Sequence, residues 1–263
     1  MSRCLVFLLI AVGIVACTGS PHKVPRVSES KDDPYSWLED VTGYRSLAWV
    51  REQNEVTKQK LATDPDFERR RAFILSILDS TDKIPFVVQR GEYWYNFWTD
   101  AQHPRGLWRR TTRDAYVKAN PKWDVLIDVD ALNKDENENW VWHGADCLRP
   151  PRGKPWQKCL VALSRGGADA DTTREFDLTT LEFVKGGFER AEAKGSLSWI
   201  DADTVYANTD FGSGSLTTSG YPRIVKEWKR GAPMSAAAVV YEGKETDLAA
   251  GAAKDRTEGF ERD

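Results

Sequence analysis

Arg90-Gly91-Glu92-Tyr93-Trp94-Tyr95-Asn96-Phe97-Trp98 is the stretch that decides the fold. With Phe86-Val87-Val88-Gln89-Arg90 leading into it and Gly91 at the bend, it reads as a β-hairpin. In the second arm Tyr93, Tyr95 and Phe97 fall on one face, and Trp94 and Trp98 on the other, because strand side chains alternate. Both faces are apolar. A sheet with one solvated face would interleave polar residues, so this strand requires cover on both sides.

Outward from the hairpin, short apolar runs bounded by turn residues recur at Leu107–Thr111, Asp124–Asp128, Asn139–Gly144, Lys158–Leu163, Arg174–Leu178, Leu197–Ile200, Thr204–Asn208, Arg223–Trp228 and Ala236–Tyr241. The openings near Phe86, Trp140 and Leu197 lie about 55 residues apart, with about four strands in each interval. That period is the sequence sign of propeller blades, which pack face to face and so explain the two-sided strands. The expected fold class is mainly β: a partial β-propeller of about three four-stranded blades over 84–243, after a short helical segment over 33–83. Within that segment one surface helix is expected over 42–62, with Leu47, Val50 and Leu61 as its apolar positions. A second starts at Asp64 as N-cap with Pro65 in the first turn, carries Phe67, Ile74, Ile77 and Leu78 on one face, and stops at Asp79-Ser80-Thr81-Asp82. Residues 244–263, with few large apolar side chains, are expected to be poorly ordered. An arc of three blades leaves the outer face of its last blade open, and Val225, Trp228, Val239, Val240 and Tyr241 are assigned to that face.

Residues 1–16 read as an export signal: Arg3 supplies positive charge, and Leu5 to Val15 is an apolar run too short to span a bilayer comfortably. Ile14-Val15-Ala16-Cys17 resembles a bacterial lipobox, which would make Cys17 the lipidated first residue; the alternative is an ordinary secretory signal with an incidental cysteine. Thr18 rather than Asp after Cys17 points to the outer membrane, and 17–32 reads as a flexible tether. The expected localisation is therefore exported, periplasmic and outer-membrane anchored, with membrane contact only through the lipid. Cys147 and Cys159 are then the two cysteines of the folded part, with eleven residues between them. In an oxidising compartment they are a disulfide candidate, the alternative being two buried thiols.

The net charge of −3, with Arg69-Arg70-Arg71 as the one basic cluster, argues against nucleic-acid binding. No Gly-x-Ser-x-Gly elbow occurs. Gly212-Ser213-Gly214-Ser215 has the wrong spacing, and Ser80–Lys83 and Ser28–Lys31 match Ser-x-x-Lys only by chance. Of the three histidines, His22 is in the tether, and His103 and His143 are expected to make polar edge contacts. His143, Asp146 and Cys147 lack a fourth ligand for a metal. Gly166-Gly167-Ala168-Asp169 is a turn and not a phosphate loop, since no helix follows it. No catalytic residue, metal site or cofactor is assigned.

Asp33-Pro34-Tyr35-Ser36-Trp37-Leu38-Glu39 resembles the Asp-Pro-Tyr-x-Trp-Leu-Glu motif of the prolyl oligopeptidase family. The Arg90–Trp98 stretch is similar to that family's first propeller hairpin, and Arg105-Gly106-Leu107-Trp108-Arg109-Arg110-Thr111 to the strand that follows it. Leu163–Asp169, Glu175–Leu178 and Ser219-Gly220-Tyr221-Pro222-Arg223 resemble stretches of its exported bacterial branch. The resemblance covers roughly 32–245. It implies a seven-bladed propeller that caps an α/β-hydrolase domain, with Ser, Asp and His C-terminal to the propeller, and hydrolysis of short peptides after proline or related residues. No position here corresponds to a triad residue, so the expectation is the N-terminal propeller part of a serine peptidase, inactive alone. Its partners would be short peptides through the parent enzyme. The alternative is a non-enzymatic, lipid-anchored peptide-binding or assembly module, with a separate chain completing the propeller.

Overall fold

The computed structural model describes residues 33–257 and 260–262. The signal, the lipobox with Cys17, the tether, His22 and Ser28–Lys31 lie outside the described residues. The chain forms two compact units that divide at Phe73/Ile74.

The first unit is built on the Asp33–Glu39 motif. Asp33 Oδ1 accepts the Tyr35 N–H at 2.8 Å, and the Trp37 indole donates to the Pro34 carbonyl at 2.9 Å, which bends the chain into a 3-10 turn over Ser36–Glu39. α1 (Tyr44–Leu61) follows, and Ser46 Oγ donates to the Trp37 carbonyl. Trp49 meets Tyr35 and Trp37, and Arg45 lies over the Trp37 ring. α2 (Pro65–Leu78) begins as the sequence requires, with Asp64 Oδ1 accepting the Asp66 N–H. The basic run Arg69–Arg71 is answered on the same helix by Asp66 and Glu68. α2 crosses into the second unit and has no buried residue; Phe73, Ile74, Ile77 and Leu78 are more than half exposed.

The second unit contains, in sequence order, three antiparallel sheets of four or five strands and a final two-stranded one. The first blade is β1 (Val88–Arg90), β2 (Tyr93–Trp98), β3 (Leu107–Thr112) and β4 (Asp124–Asp128). Two short helices, α3 (Arg113–Tyr116) and α4 (Val129–Glu136), follow β3 and β4. The second blade is β5 (Trp140–Cys147), β6 (Lys158–Arg165), β7 (Asp171–Asp177) and β8 (Glu182–Phe183), with β9 (Glu189–Ala193) also paired to β7. The third is β10 (Ser196–Asp201), β11 (Thr204–Asn208), β12 (Ile224–Lys229) and β13 (Ala238–Glu242). A last hairpin joins β14 (Asp255–Thr257) to β15 (Phe260–Arg262).

The two-sided reading of the opening hairpin holds. Tyr95 is buried, and Phe97 stacks on Trp142 of the second blade at 5.1 Å. On the opposite face Trp94 meets Tyr116 of α3, and Trp98 is covered by Arg109 and Lys83. β6 shows the same logic at the centre. Cys159, Val161 and Leu163 enter the core shared with Tyr95, Trp108 and Ile127 of the first blade. Leu160 enters the other core, with Leu197, Trp199, Val205 and Trp228 of the third blade. A polar residue on either side of β6 would sit between two packed sheets.

Three expectations need correction. The first strand begins at Val88 and not at Phe86, which is exposed; the Phe86 carbonyl accepts the Asn96 side-chain amide at 2.8 Å in place of a ladder bond. Trp228 is buried in the core shared with the second blade, whereas Val225, paired with Asn208 in the phase opposite to Val205 and Trp228, is buried on the outer face; the apolar residues left open on the last blade are Val239, Val240 and Tyr241 of the edge strand β13. Residues 244–257 also follow a defined course. The Ala250 carbonyl accepts from Asn208, and its N–H donates to the Pro222 carbonyl. β14 then opens 58 residues after Leu197, in step with the blade repeat, so this stretch begins a fourth hairpin of the same series.

First strands of successive blades are bridged side chain to carbonyl. Arg90 on β1 donates to Ala145 O on β5 at 3.4 Å; Trp199 on β10 donates to Asp146 O on β5 at 3.0 Å; Arg256 on β14 donates to Trp199 O on β10 at 3.1 Å and also to Ile200 O. These bridges mark the first strands as the ones that converge. Trp199 also packs edge-on against Phe188 and is 2% exposed. Trp199→Ala is expected to destabilise the chain by about 3–5 kcal/mol through the cavity alone, and Trp199→Phe, which keeps a ring and loses the bridge, by about 1 kcal/mol more than nothing but well under the alanine loss. Urea unfolding followed by circular dichroism reads both; equal losses would remove the bridge from the argument.

Candidate functional site

At one end of the converging strands lie the turns that join first to second strands: Gly91–Glu92, 148–157 and 202–203. Gly91 is needed there, since its φ is +61° and a Cβ would stand 3.2 Å from the Trp156 ring. The 148–157 turn is by far the longest and reads Leu-Arg-Pro-Pro-Arg-Gly-Lys-Pro-Trp-Gln. Three prolines hold it extended and unable to pair as a strand.

The base of this turn is closed covalently. Cys147 on β5 and Cys159 on β6 are directly opposite in the ladder and form a disulfide. The sequence left this pair open between a disulfide and two thiols, and the structure brings them together. Cys159 is fully buried in the core between the first two blades.

Between the 148–157 turn, the β10–β11 turn and the approach to β14 lies a groove of about 1090 Å³. Arg149, Arg152, Lys154, Lys158, Lys254 and Arg256 line it, against one carboxylate, Asp201. Arg149 donates to the Arg256 carbonyl at 2.9 Å, and Lys158 pairs with Glu175 at 3.1 Å. The Arg152 and Lys154 side chains have no ion-pair partner among the described residues, and both are exposed. Nearby, burial pushes the Asp146 carboxyl up, opposed by a hydrogen bond from the Trp199 backbone and by Arg256 and Arg90. On its other side the same turn borders a second hollow of about 770 Å³ with Glu92 and Trp156. Sequence reading missed this site because it looked for contiguous cations. Arg149, Arg152, Lys154 and Lys158 were visible at spacings of two to four, but Lys254 and Arg256 join them only through the fold.

The other sequence candidates are placed in structural roles. His103 Nδ1 lies 3.0 Å from Asp100 Oδ1 in the β2–β3 connection. Partial burial would raise the Asp100 carboxyl, but hydrogen bonds from Trp98, His103 and Gln102 outweigh it and hold it at about 2. His143 Nδ1 lies 3.1 Å from Asp171 Oδ2, and Asp171 also pairs with the buried Arg190. His143, Asp146 and Cys147 are not brought together, since Cys147 is in the disulfide. Ser80 Oγ accepts from Asp82 N, and Lys83 donates to the Leu78 and Thr99 carbonyls. Ser215 Oγ donates within the 210–215 turn and is 3% exposed. The Gly166–Asp169 turn meets the Ser219–Arg223 stretch through a 2.9 Å hydrogen bond from Tyr221 OH to Asp169.

Comparison with known proteins agrees with this architecture. The family described as prolyl oligopeptidase, N-terminal beta-propeller domain, matches residues 21–259. The chain is 40% identical over 237 residues to an uncharacterized peptidase of Sinorhizobium fredii and 33% identical over 244 residues to one of Rickettsia prowazekii; each match takes in 89% of this chain and 32% of the relative. A solved post-proline cleaving enzyme from Rickettsia typhi superposes with a TM-score of 0.75 at 33% identity, over 83% of this chain and 32% of that one. Oligopeptidase B from Leishmania major, at 15% identity and a TM-score of 0.57 over 80% of this chain and 28% of its own, shares the fold. The chain thus spans about a third of the length of the curated relatives it matches.

The disulfide joins positions separated by 12 in the sequence across the hairpin. Cys147→Ser with Cys159→Ser is expected to cost about 2–4 kcal/mol. The reduced wild type should fall to the same stability in urea melts with and without a thiol reductant, and a wild type indifferent to reductant would show that the bond carries no stability.

Proposed function

We propose, on the premise that this chain belongs to the prolyl oligopeptidase family through its N-terminal β-propeller domain, that it forms the propeller part of a serine-type peptidase that cuts short peptides after proline. The likeness to the Rickettsia typhi post-proline cleaving enzyme carries this reading, because that solved structure matches in sequence as well as in fold. In the family's arrangement the propeller restricts which peptides reach the hydrolase domain, and Ser, His and Asp of that domain do the chemistry. The reading assigns no catalytic residue to the described blades: His103 and His143 are each held by a carboxylate, and neither faces a serine or cysteine nucleophile among the described hydrogen bonds.

We also place the protein outside the cytoplasm, anchored through Cys17 in the outer membrane. The export signal and lipobox pattern support this, together with the Cys147–Cys159 disulfide, which persists in oxidising compartments.

Two measurements test the reading. Material captured from the source cells with an antibody against residues 33–80 is expected to cleave a chromogenic Gly-Pro reporter and to lose that activity to a serine-directed phosphonate. The purified 263-residue chain is expected to cleave nothing. Captured material without post-proline cleavage, or cleavage indifferent to the inhibitor, would overturn the peptidase assignment; inhibitor-sensitive cleavage by the purified chain would overturn its inactivity. For the anchor, radiolabelled palmitate should enter the wild type and not Cys17→Ser, and an unlabelled wild type would leave Cys17 an incidental cysteine of an ordinary signal.

A further inference from the structure

We infer that the groove at the converging ends of the first strands is a recognition site for acidic peptide segments. The chain as a whole is acidic, with a net charge of −3, yet this one concavity gathers six cationic side chains around a single carboxylate. Such a local reversal of sign focuses potential toward anions, and concave low-dielectric walls strengthen the effect.

The composition of the walls selects among anions. Pro150, Pro151, Pro155, Leu148 and Ile200 give apolar surface for a backbone and aliphatic stems to lie against. Asp201 places a negative charge inside the same groove, which opposes a uniformly anionic polymer such as a polyphosphate and suits a chain that also carries an amino terminus or a lysine. A peptide with clustered Asp or Glu offers both signs and the apolar contact. The cations differ in availability. Lys158 and Arg256 are occupied by Glu175 and by the Trp199 and Ile200 carbonyls, so they set the field and the shape. Arg152 and Lys154, exposed on the proline-stiffened turn, are the groups that meet the ligand's carboxylates.

The walls are also held in place before any ligand arrives. The disulfide fixes the base of the turn, and Arg149 and Arg256 tie the turn to the far wall. Little ordering is left to oppose binding, which favours recognition by a rigid surface. The inference deepens the peptidase reading by naming the chemistry of the peptides the propeller would gather. It is tested by binding alone, so it and the hydrolytic assignment can fail separately.

The experiment is fluorescence anisotropy on the full chain in detergent, with dye-labelled ten-residue peptides rich in Glu and Asp, their Gln and Asn counterparts, and a Lys-rich peptide. The acidic peptide is expected to bind at least tenfold more tightly than the neutral one, and to weaken about tenfold as salt rises past the point where the Debye length falls to a few ångströms. Arg152→Glu with Lys154→Glu should abolish the preference, while Arg113→Glu on α3 should leave it intact; circular dichroism confirms that each variant is folded. Equal binding of acidic and neutral peptides overturns the inference, as does an unchanged double variant. Inorganic polyphosphate or phosphatidylglycerol vesicles that bind more tightly than the peptide, and lose binding in the same double variant, would reassign the groove to phosphate-bearing polyanions.

Discussion

A sheet with apolar side chains on both faces cannot be covered by its own connections, and the second blade shows how this constraint organises the rest. β6 sends Cys159, Val161 and Leu163 one way and Leu160 the other. The blade is therefore stable only as a filling between two others. The aromatic residues do most of the covering. Trp108 reaches both Trp142 and Phe176, and Phe188 is sandwiched edge-on by Trp199 and Trp228. Rings of this size fill the wedge between twisted sheets with few side chains, and their edge-to-face geometry sets the angle at which the sheets meet.

Charge is buried in the same seams. Glu175 has no exposed side-chain surface, and it accepts from Lys158, from both terminal nitrogens of Arg230 and from the Phe188 N–H. Burial alone would raise its carboxyl; these four donors overcome that and hold it below the usual carboxylate range. With the folded-state value depressed, the stability this group adds is present above the unfolded carboxylate range and is lost as pH falls through the folded value. Arg230 follows the third blade's β12 while Glu175 belongs to the second blade's β7, so the pair fixes the register of one blade against the next in a way that apolar packing does not. Arg190, buried with Asp171 and Thr173 and donating to the Ala193 carbonyl, does the same within the second blade.

How much of this was legible in the sequence depends on range. The hairpin at Arg90–Trp98, the repeat and most strand positions could be read because blade structure is local: each described β-strand pairs with a strand nearby in the chain. Asp64 and Pro65 announced α2 for the same reason. Phe86 misled because its carbonyl is taken by a side chain ten residues away, which no alternation pattern records. Trp228 was assigned to the wrong face although simple alternation applies: it lies three residues from Val225 in a ladder that pairs regularly with β11, so the two point to opposite faces of the sheet. The tail was misjudged from its small residues; what places it is Arg256 on the carbonyls of Trp199 and Ile200 and the backbone contacts of Ala250. The groove was out of reach for a related reason, since its two basic segments are about a hundred residues apart in the chain.

The bridges between first strands bear on how such a chain is made. Arg90 to Ala145, Trp199 to Asp146 and Arg256 to Trp199 each join a blade only to its immediate neighbour in sequence. A chain threaded through a secretion pore appears at the far side from its N-terminus onward. Under the export proposed above, each newly emerged sheet would find one docking partner already present, and its other face would wait only for the next sheet to cross. Assembly could then proceed vectorially, one sheet behind the other, with the transient danger confined to the last sheet at the advancing end, where Val239, Val240 and Tyr241 of β13 stand open once the third blade has formed.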